Sequence, residues 1–375
     1  MNRYYFDHNA TTPVAREVLD AMLPMMTEVY GNASSIHYFG QTARKRLDDS
    51  RRAIGKFLGA SPGEIVYTSG GTEADNLAIL GIAAGGHAVT TTIEHPAVLA
   101  SCAQLESTQV PVDSRGVVDP DDIRKAIRPN TKIISVMHAN NETGVIQPIA
   151  EIACIAHGHG ITMHSDGVQV AGKMTIDVDA LGVDLYSISG HKIYAPKGIG
   201  ALYVRAGTKL TARMHGGHHE RDRRAGTENV AGAVALGRAA EWAMQDGPAE
   251  WAREVELRDR LERSILDRVT GTHVNGAGAE RTPNTTNIRF DGIDAEPLLI
   301  ALDLKGFAVS SGSACSSGAA EPSHVLTAIG LSKEQAKSSV RFSLGRSNTA
   351  EQVDALIDAV IECVAHVRKM APAYA

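Results

Sequence analysis

The chain has 375 residues, 43% hydrophobic and 21% charged, with a formal net charge of −6. That length exceeds one compact core and suggests about two domains. The acidic balance excludes a broad phosphate-binding surface for nucleic acid and leaves "RDRR" at 221–224 as a local basic patch.

In chain order, short apolar and β-branched runs predict strands. They are "EIVYTS" (64–69), "HAVTTT" (87–92), "KIISVMHA" (132–139), "GITMHSD" (160–166), "DLYSIS" (184–189) and "GALYVR" (200–205). Helical patterns at 72–84, 96–106 and 148–158 fall between them. Continuous apolar strands alternating with helices predict a mostly parallel α/β sheet. An Ala-rich stretch from 227 to 268 reads as two helices broken near "DGP" (246–248). The texture then changes to "NTTNIRF", a Ser/Gly loop, "SSVRFSLG" and a closing helix. That helix carries Val353, Leu356, Ile357, Val360, Val364 and Val367 at a 3.6-residue period. These features divide the chain into a large domain over 13–255 and a small one formed by 1–12 with 256–375.

The four cysteines, Cys102, Cys154, Cys315 and Cys363, show no CxxC spacing, which points to a reducing compartment rather than a disulfide framework. "MNRYYFDHNATTPV" has no apolar leader core, and no segment reaches the roughly 20 apolar residues of a membrane span. The expectation is a cytoplasmic protein without membrane or nucleic-acid partners.

Three stretches carry chemistry. In "SISGHKIYAPKGIG" (187–200) a strand ends on Ser189, His191 and Lys192 before a Pro/Gly turn. A lysine at a rigid strand end is a candidate Schiff-base former when desolvation frees its amine, although most lysines are solvated surface residues. In "TSGGTEADN" (68–76) a strand runs through glycines into a helix, so Gly71 and Thr72 offer an anion cradle; a capping turn is the simpler alternative. In "HSDGVQ" (164–169) Asp166 ends an apolar strand, and a carboxylate buried there needs a cation such as a protonated pyridine nitrogen. Together these are the parts of a pyridoxal 5′-phosphate site.

The set "DHNATTPV", "GNASSIH", "TSGGTEADN", "TTIEHPAV", "HANNETGVIQP", "HSDGVQ", "SGHKIYAPKGIG", "HGGHHERDRRAGTEN", "SSGSACSSG", "EPSHVL" and "RFSLGR" runs colinearly along nearly the whole chain. It resembles the NifS/IscS-type cysteine desulfurases, in the class V group of fold-type I pyridoxal-phosphate enzymes. The departures are small: Gly71, Ala33 and Ala195 stand where the family often has alanine or glycine, proline and glycine.

The resemblance implies a large domain with a mostly parallel seven-stranded sheet between helices, plus a smaller α+β C-terminal domain. It implies that Lys192 joins the cofactor and that His95 stacks on its ring and helps move protons. Asp166 would pair with the ring nitrogen and Gln169 with the phenolic oxygen. Gly71, Thr72, Ser189 and His191 would hold the phosphate, with Thr227 reaching across from a second subunit of a homodimer. Asn141 would lie beside cofactor and substrate, and Arg341 would clamp the α-carboxylate of L-cysteine. Cys315, in "SSGSACSSG" (310–318), would take the substrate sulfur as a persulfide, leaving L-alanine, and pass it to an iron–sulfur scaffold or another acceptor. No resident metal is implied, with Cys315 a candidate for transient iron–sulfur ligation.

A class V aminotransferase or a selenocysteine lyase is the rival among enzymes, and a cofactor-binding assembly protein is the rival outside them. Cys315 argues against the transaminase, and Lys192, His95 and Cys315 together argue against an inactive binder. His138 and His164 read as hydrogen-bonded core or cleft residues, and Cys102, Cys154 and Cys363 as small core residues. "RKRLDDSRR" (44–52) reads as a solvated helix face.

Overall fold

The computed structural model describes residues 2–312 and 322–370. Its strands are β1 (Tyr4–Tyr5), β2 (Ile65–Thr68), β3 (His87–Thr91), β4 (Glu106–Val110), β5 (Thr131–Ser135) and β6 (Thr162–Asp166). They continue as β7 (Leu185–Ser189), β8 (Gly200–Val204), β9 (Thr272–Val274), β10 (Thr285–Phe290), β11 (Phe307–Ala308) and β12 (Ser339–Ser343).

The main sheet has seven strands in the order β2-β8-β7-β6-β5-β3-β4. β8 runs antiparallel to both β2 and β7, while the pairs from β7 through β4 are parallel. Period-2 alternation sends successive side chains to opposite faces. Val89, Ile134, Tyr186, Ile188 and Tyr203 join the core beneath helices Tyr38–Leu58, Ile149–Gly158 and Val230–Gln245. Ala88, Ile133, Leu185, Leu202 and Val204 join the core beneath Gly71–Ile82 and Pro96–Cys102. The sheet is therefore covered on both faces, which explains why its strands read as unbroken apolar runs.

A second core gathers around the antiparallel sheet β12-β10-β9 and includes Phe6, Leu261, Ile265, Phe290, Leu298 and Phe342. The whole predicted stripe of the closing helix, Ala350–Met370, is buried in it together with Cys363. The N-terminal segment enters this core because β1 pairs in parallel with β11.

Three expectations are corrected. The helix expected over 96–106 stops at Cys102, and Glu106–Val110 is instead the edge strand β4. Its polar residues face outward at the sheet margin, so it lacks an apolar run. Cys154 is exposed rather than buried. Arg51, within the stretch read as solvated, is only 5% exposed. It forms a bidentate pair with Glu220 at 2.7 and 2.6 Å and lies over the Tyr67 ring at 4.6 Å.

Candidate active site

Lys192 is delivered by the end of β7 and the single turn Gly190–Lys192. Two residues later Tyr194 adopts a left-handed conformation, φ 66°, unusual for a bulky side chain. Its surroundings impose it: the Tyr194 N–H donates to Thr12 Oγ1 at 2.8 Å, its hydroxyl accepts from Arg346 N at 2.8 Å, and its ring meets Trp242 edge-on. This fixed turn aims Lys192 Nζ at the carbonyls of Asn9 and Ala10, the latter at 2.8 Å. Burial, then the charge of Arg341, brings the amine down from 10.5 to about 8, with Asp7 and Asp166 opposing.

Asp166 ends β6, the strand beside β7, and is 7% exposed. One of its oxygens accepts the Val168 N–H at 2.9 Å, and no described side chain donates to it. Burial raises its pKa, while His95, the Val168 N–H and Lys192 pull it the other way. The adjacent Gly167 is forced by space, since a Cβ there would fall 2.0 Å from the Tyr186 ring.

Gly71 opens the 12-residue helix Gly71–Ile82 directly after β2. A Cβ on Gly71 would lie 2.8 Å from Val168 Cγ2, so the helix start sits tight against the Asp166 segment. Its free N–H groups, Thr72, Ser189 and His191 share one cleft. His191 Nδ1 contacts Thr11 Oγ1 at 3.1 Å, and burial beside Lys192 and Lys197 lowers its pKa to about 4, so it is a neutral imidazole.

His95 caps the helix Pro96–Cys102 by accepting the Ala97 N–H on Nδ1 at 3.1 Å, which leaves the neutral ring's proton on Nε2. Burial lowers its pKa, Asp166 opposing. Arg341, on β12, is 4% exposed. Its Nη2 pairs with Asp7 Oδ1 at 2.6 Å and its Nη1 donates to the Asn141 carbonyl at 2.9 Å, while Nε is buried without a partner among the described residues. Gln169 donates through Nε2 to the Asn9 carbonyl at 3.0 Å and accepts on Oε1 from Lys173 at 2.6 Å.

The expected site residues other than Thr227 and Cys315 thus line a single cleft of about 680 Å³, within the usual size of a small-molecule site. Thr227 is exposed and does not line it. Cys315 lies outside the described residues. His138 and His164 behave as expected: His138 Nδ1 meets the Tyr186 hydroxyl at 2.7 Å, and His164 bridges Ser135 and Ser187 at 2.8 and 3.0 Å.

The cleft also holds Asp7, Asn9, Asp75, Glu142 and His324, to which the sequence reading gave no role. Asn9 is a junction: its Nδ2 donates to Thr285 Oγ1 at 2.8 Å, its Oδ1 accepts from Lys173 at 2.9 Å, and its carbonyl accepts from Lys192 and Gln169. The signal was a polar triplet, Asp7-His8-Asn9, one residue after the strand "YY". Asp75 lies deep in the same place, one oxygen without a hydrogen bond among the described residues and 3.6 Å from His164 Nε2, and burial with neighbouring Asp166 raises its pKa well above the usual range.

These residues fit pyridoxal phosphate. A half-buried amine of lowered pKa suits an aldehyde, and a helix start with hydroxyl and imidazole neighbours suits a phosphate. A buried carboxyl to which no described side chain donates suits a pyridinium. The orphaned Arg341 Nε suits a carboxylate of the substrate.

Residues 4–356 match the family Aminotransferase class-V, and the chain belongs to that family, whose members are pyridoxal-phosphate enzymes. It is 49% identical to the "Cysteine desulfurase IscS" of Methanosarcina thermophila, over 98% of this chain and 93% of that one. Among solved structures it is similar to one titled "NIFS-LIKE PROTEIN", with a TM-score of 0.91 at 34% identity, covering 97% of this chain and 100% of the other. It is also similar to one titled "SspA in complex with cysteine", with a TM-score of 0.81 at 36% identity, covering 91% of this chain and 98% of the other.

Proposed function

We propose that this chain is a cysteine desulfurase, holding pyridoxal phosphate in the cleft and moving sulfur from L-cysteine to Cys315. The observation that carries the reading is the placement of Lys192, Asp166 and Arg341 around one cavity, with the lysine amine lowered to about 8. Relatives spanning nearly the whole chain bear that activity in their names, and one similar structure is described with cysteine bound.

When bound, the cofactor supplies an electron sink for negative charge at the substrate Cα. Arg341 holds the α-carboxylate through Nε and its remaining N–H groups, the Asn141 carbonyl keeping the guanidinium in place. Lys192, close to neutral pH in its proton affinity, accepts and returns the Cα proton, and His95 Nε2–H serves as a nearby donor. Asp166 keeps a positive charge opposite it, and Gln169 directs an amide N–H at the cofactor's phenolic oxygen. The Cys315 thiolate attacks the substrate sulfur: an S–S bond forms, the substrate C–S bond breaks, and its electron pair leaves with carbon, which is protonated to alanine. The persulfide then passes to an iron–sulfur scaffold or another acceptor.

Three further assignments belong to this reading. The large domain is 13–255, and the small domain is 1–12 with 256–375, supported by the core that Phe6 shares with Leu257 and Leu261. The active form is a homodimer, supported by Thr227 lying exposed and off its own chain's cleft. The protein acts in the cytoplasm, in keeping with its few cysteines, and no helix among the described residues is long and apolar enough to cross a membrane.

The test is release of sulfide and alanine from L-cysteine by the purified protein. Cys315→Ala and Lys192→Ala should each abolish turnover, and Lys192→Ala should also lose the yellow colour. Full desulfuration by Cys315→Ala would remove the role given to that thiol.

A further inference from the structure

Lys173 is a second buried lysine beside Lys192, only 6% exposed, and no step of the chemistry above uses it. It lies four residues after Gln169 on a turn in which the Val170 and Ala171 N–H groups both donate to the Gly167 carbonyl. Gly172 fixes the backbone before it. Its φ is +74°, and a Cβ there would fall 2.6 Å from Ile193 Cγ2, the residue next to Lys192. Trp251 Nε1 donates to the Gly172 carbonyl at 2.7 Å from the other side. The lysine therefore has one direction to go, and its Nζ donates to Gln169 Oε1 at 2.6 Å and to Asn9 Oδ1 at 2.9 Å.

Those contacts settle which way the Gln169 amide faces. The Asn9 carbonyl can only accept, so the Gln169 NH2 must point to it, at 3.0 Å. The amide oxygen is then turned to Lys173, which supplies the donor it needs. One N–H of the NH2 group is spent on Asn9, and the second remains in a side chain that lines the cleft. Without Lys173 the amide oxygen would be buried without its donor, and rotation away from this pose would relieve it.

We infer that Lys173 is a positioning residue: its amine locks Gln169 and Asn9 in the pose that leaves one Gln169 N–H for the phenolic oxygen of pyridoxal phosphate. This rests on the cofactor assignment made above.

The groups facing Lys173 are Lys192, Arg341 and the buried carboxyl of Glu254. Burial, with Lys192 and Arg341, brings its pKa to about 7, while Glu254 raises it. The amine donates hydrogen bonds in either charge state, so the positioning does not depend on its titration.

The test is a double-mutant cycle on the full chain freed of cofactor, read as the Kd for pyridoxal phosphate and the position of the bound cofactor's visible band. Neither readout depends on turnover. Gln169→Ala should weaken binding roughly tenfold, the loss expected of one good hydrogen bond. Lys173→Met should weaken it by a similar factor and shift the band the same way. The double variant should be no worse than Gln169→Ala alone. Losses that multiply in the double variant, or a Lys173→Met protein that binds as wild type while Gln169→Ala does not, would overturn the inference. If Gln169→Ala itself binds as wild type, the cofactor assignment of Gln169 fails instead. Should Lys173→Met not fold, Lys173→Leu, which likewise removes the donor, takes its place in the same cycle with the same criteria.

Discussion

Asp7 Oδ1 lies 2.6 Å from Arg341 Nη2, so the guanidinium assigned to the substrate carboxylate already carries a carboxylate of its own chain. Asp7 also sustains the ammonium form of Lys192, whose pKa is about 8. Asp7→Asn should therefore have two separable effects. The KM for L-cysteine should fall several-fold, because the arginine charge is no longer shared. The lysine should also lose its proton at lower pH. The sign follows from removing an anion that favours the charged amine. The rate at which cofactor-free protein captures pyridoxal phosphate requires neutral amine, so in the wild type it should rise through pH of about 8. In Asp7→Asn that rise should move to lower pH. A higher KM, or an unmoved midpoint, would show that Asp7 serves only to orient Arg341.

Gly167 allows the Asp166 segment to pass over Tyr186, with no room for a methyl group: the ring atoms stand 2.0 Å from where a Cβ would be. Tyr186 is fully buried and its hydroxyl is bonded to His138, so it has nowhere to withdraw. Gly167→Ala should destabilise the protein by about 3 kcal/mol through overpacking, lowering the melting temperature by several degrees and displacing Asp166. Gly158→Ala, where a Cβ meets nothing within 4 Å, is the control and should melt as wild type. Equal melting of both variants would contradict the packing argument.

Much of this site was legible because its parts are local. A strand end followed by glycine and a helix start is written in "TSGGTEADN", and a lysine closing an apolar strand is written in "SISGHK". The unbroken apolar strands announced a covered sheet, and β4 escaped because "ESTQV" lies at the edge with only Val110 buried. Asn9, Lys173 and Asp7 gained no role from sequence because their meaning is non-local. Asn9 meets Lys173 across 164 positions, and Asp7 meets Arg341 across 334. Arg51 misled for the same reason, since Glu220, its partner, is 169 residues away.

Glu142 relates to the sulfur step through its neighbours on either side of residues 313–321. Ser323 Oγ donates to Glu142 Oε2 at 2.5 Å, and Gly312, at φ +88°, is so close that a Cβ would lie 3.1 Å from the same oxygen. Glu142 is itself 3% exposed, and its carbonyl accepts from Asn287 Nδ2 at 3.2 Å. One buried carboxyl thus holds the Ser323 flank of the stretch that contains Cys315 by a hydrogen bond and lies against the Gly312 flank. Removing the Ser323 hydroxyl leaves a buried acceptor short of its donor, a loss of about 1–3 kcal/mol in that anchor. Ser323→Ala should therefore slow single-turnover arrival of sulfur on Cys315 roughly tenfold. Its Kd for pyridoxal phosphate should stay within about twofold of wild type, because Ser323 touches none of the groups assigned to the cofactor. Ser323→Thr, which keeps the hydroxyl, should recover most of the rate. A Ser323→Ala protein that loads Cys315 as fast as wild type would show that the flanks need no such anchor. Equal losses in Ser323→Ala and Ser323→Thr would trace the effect to packing rather than to the hydrogen bond.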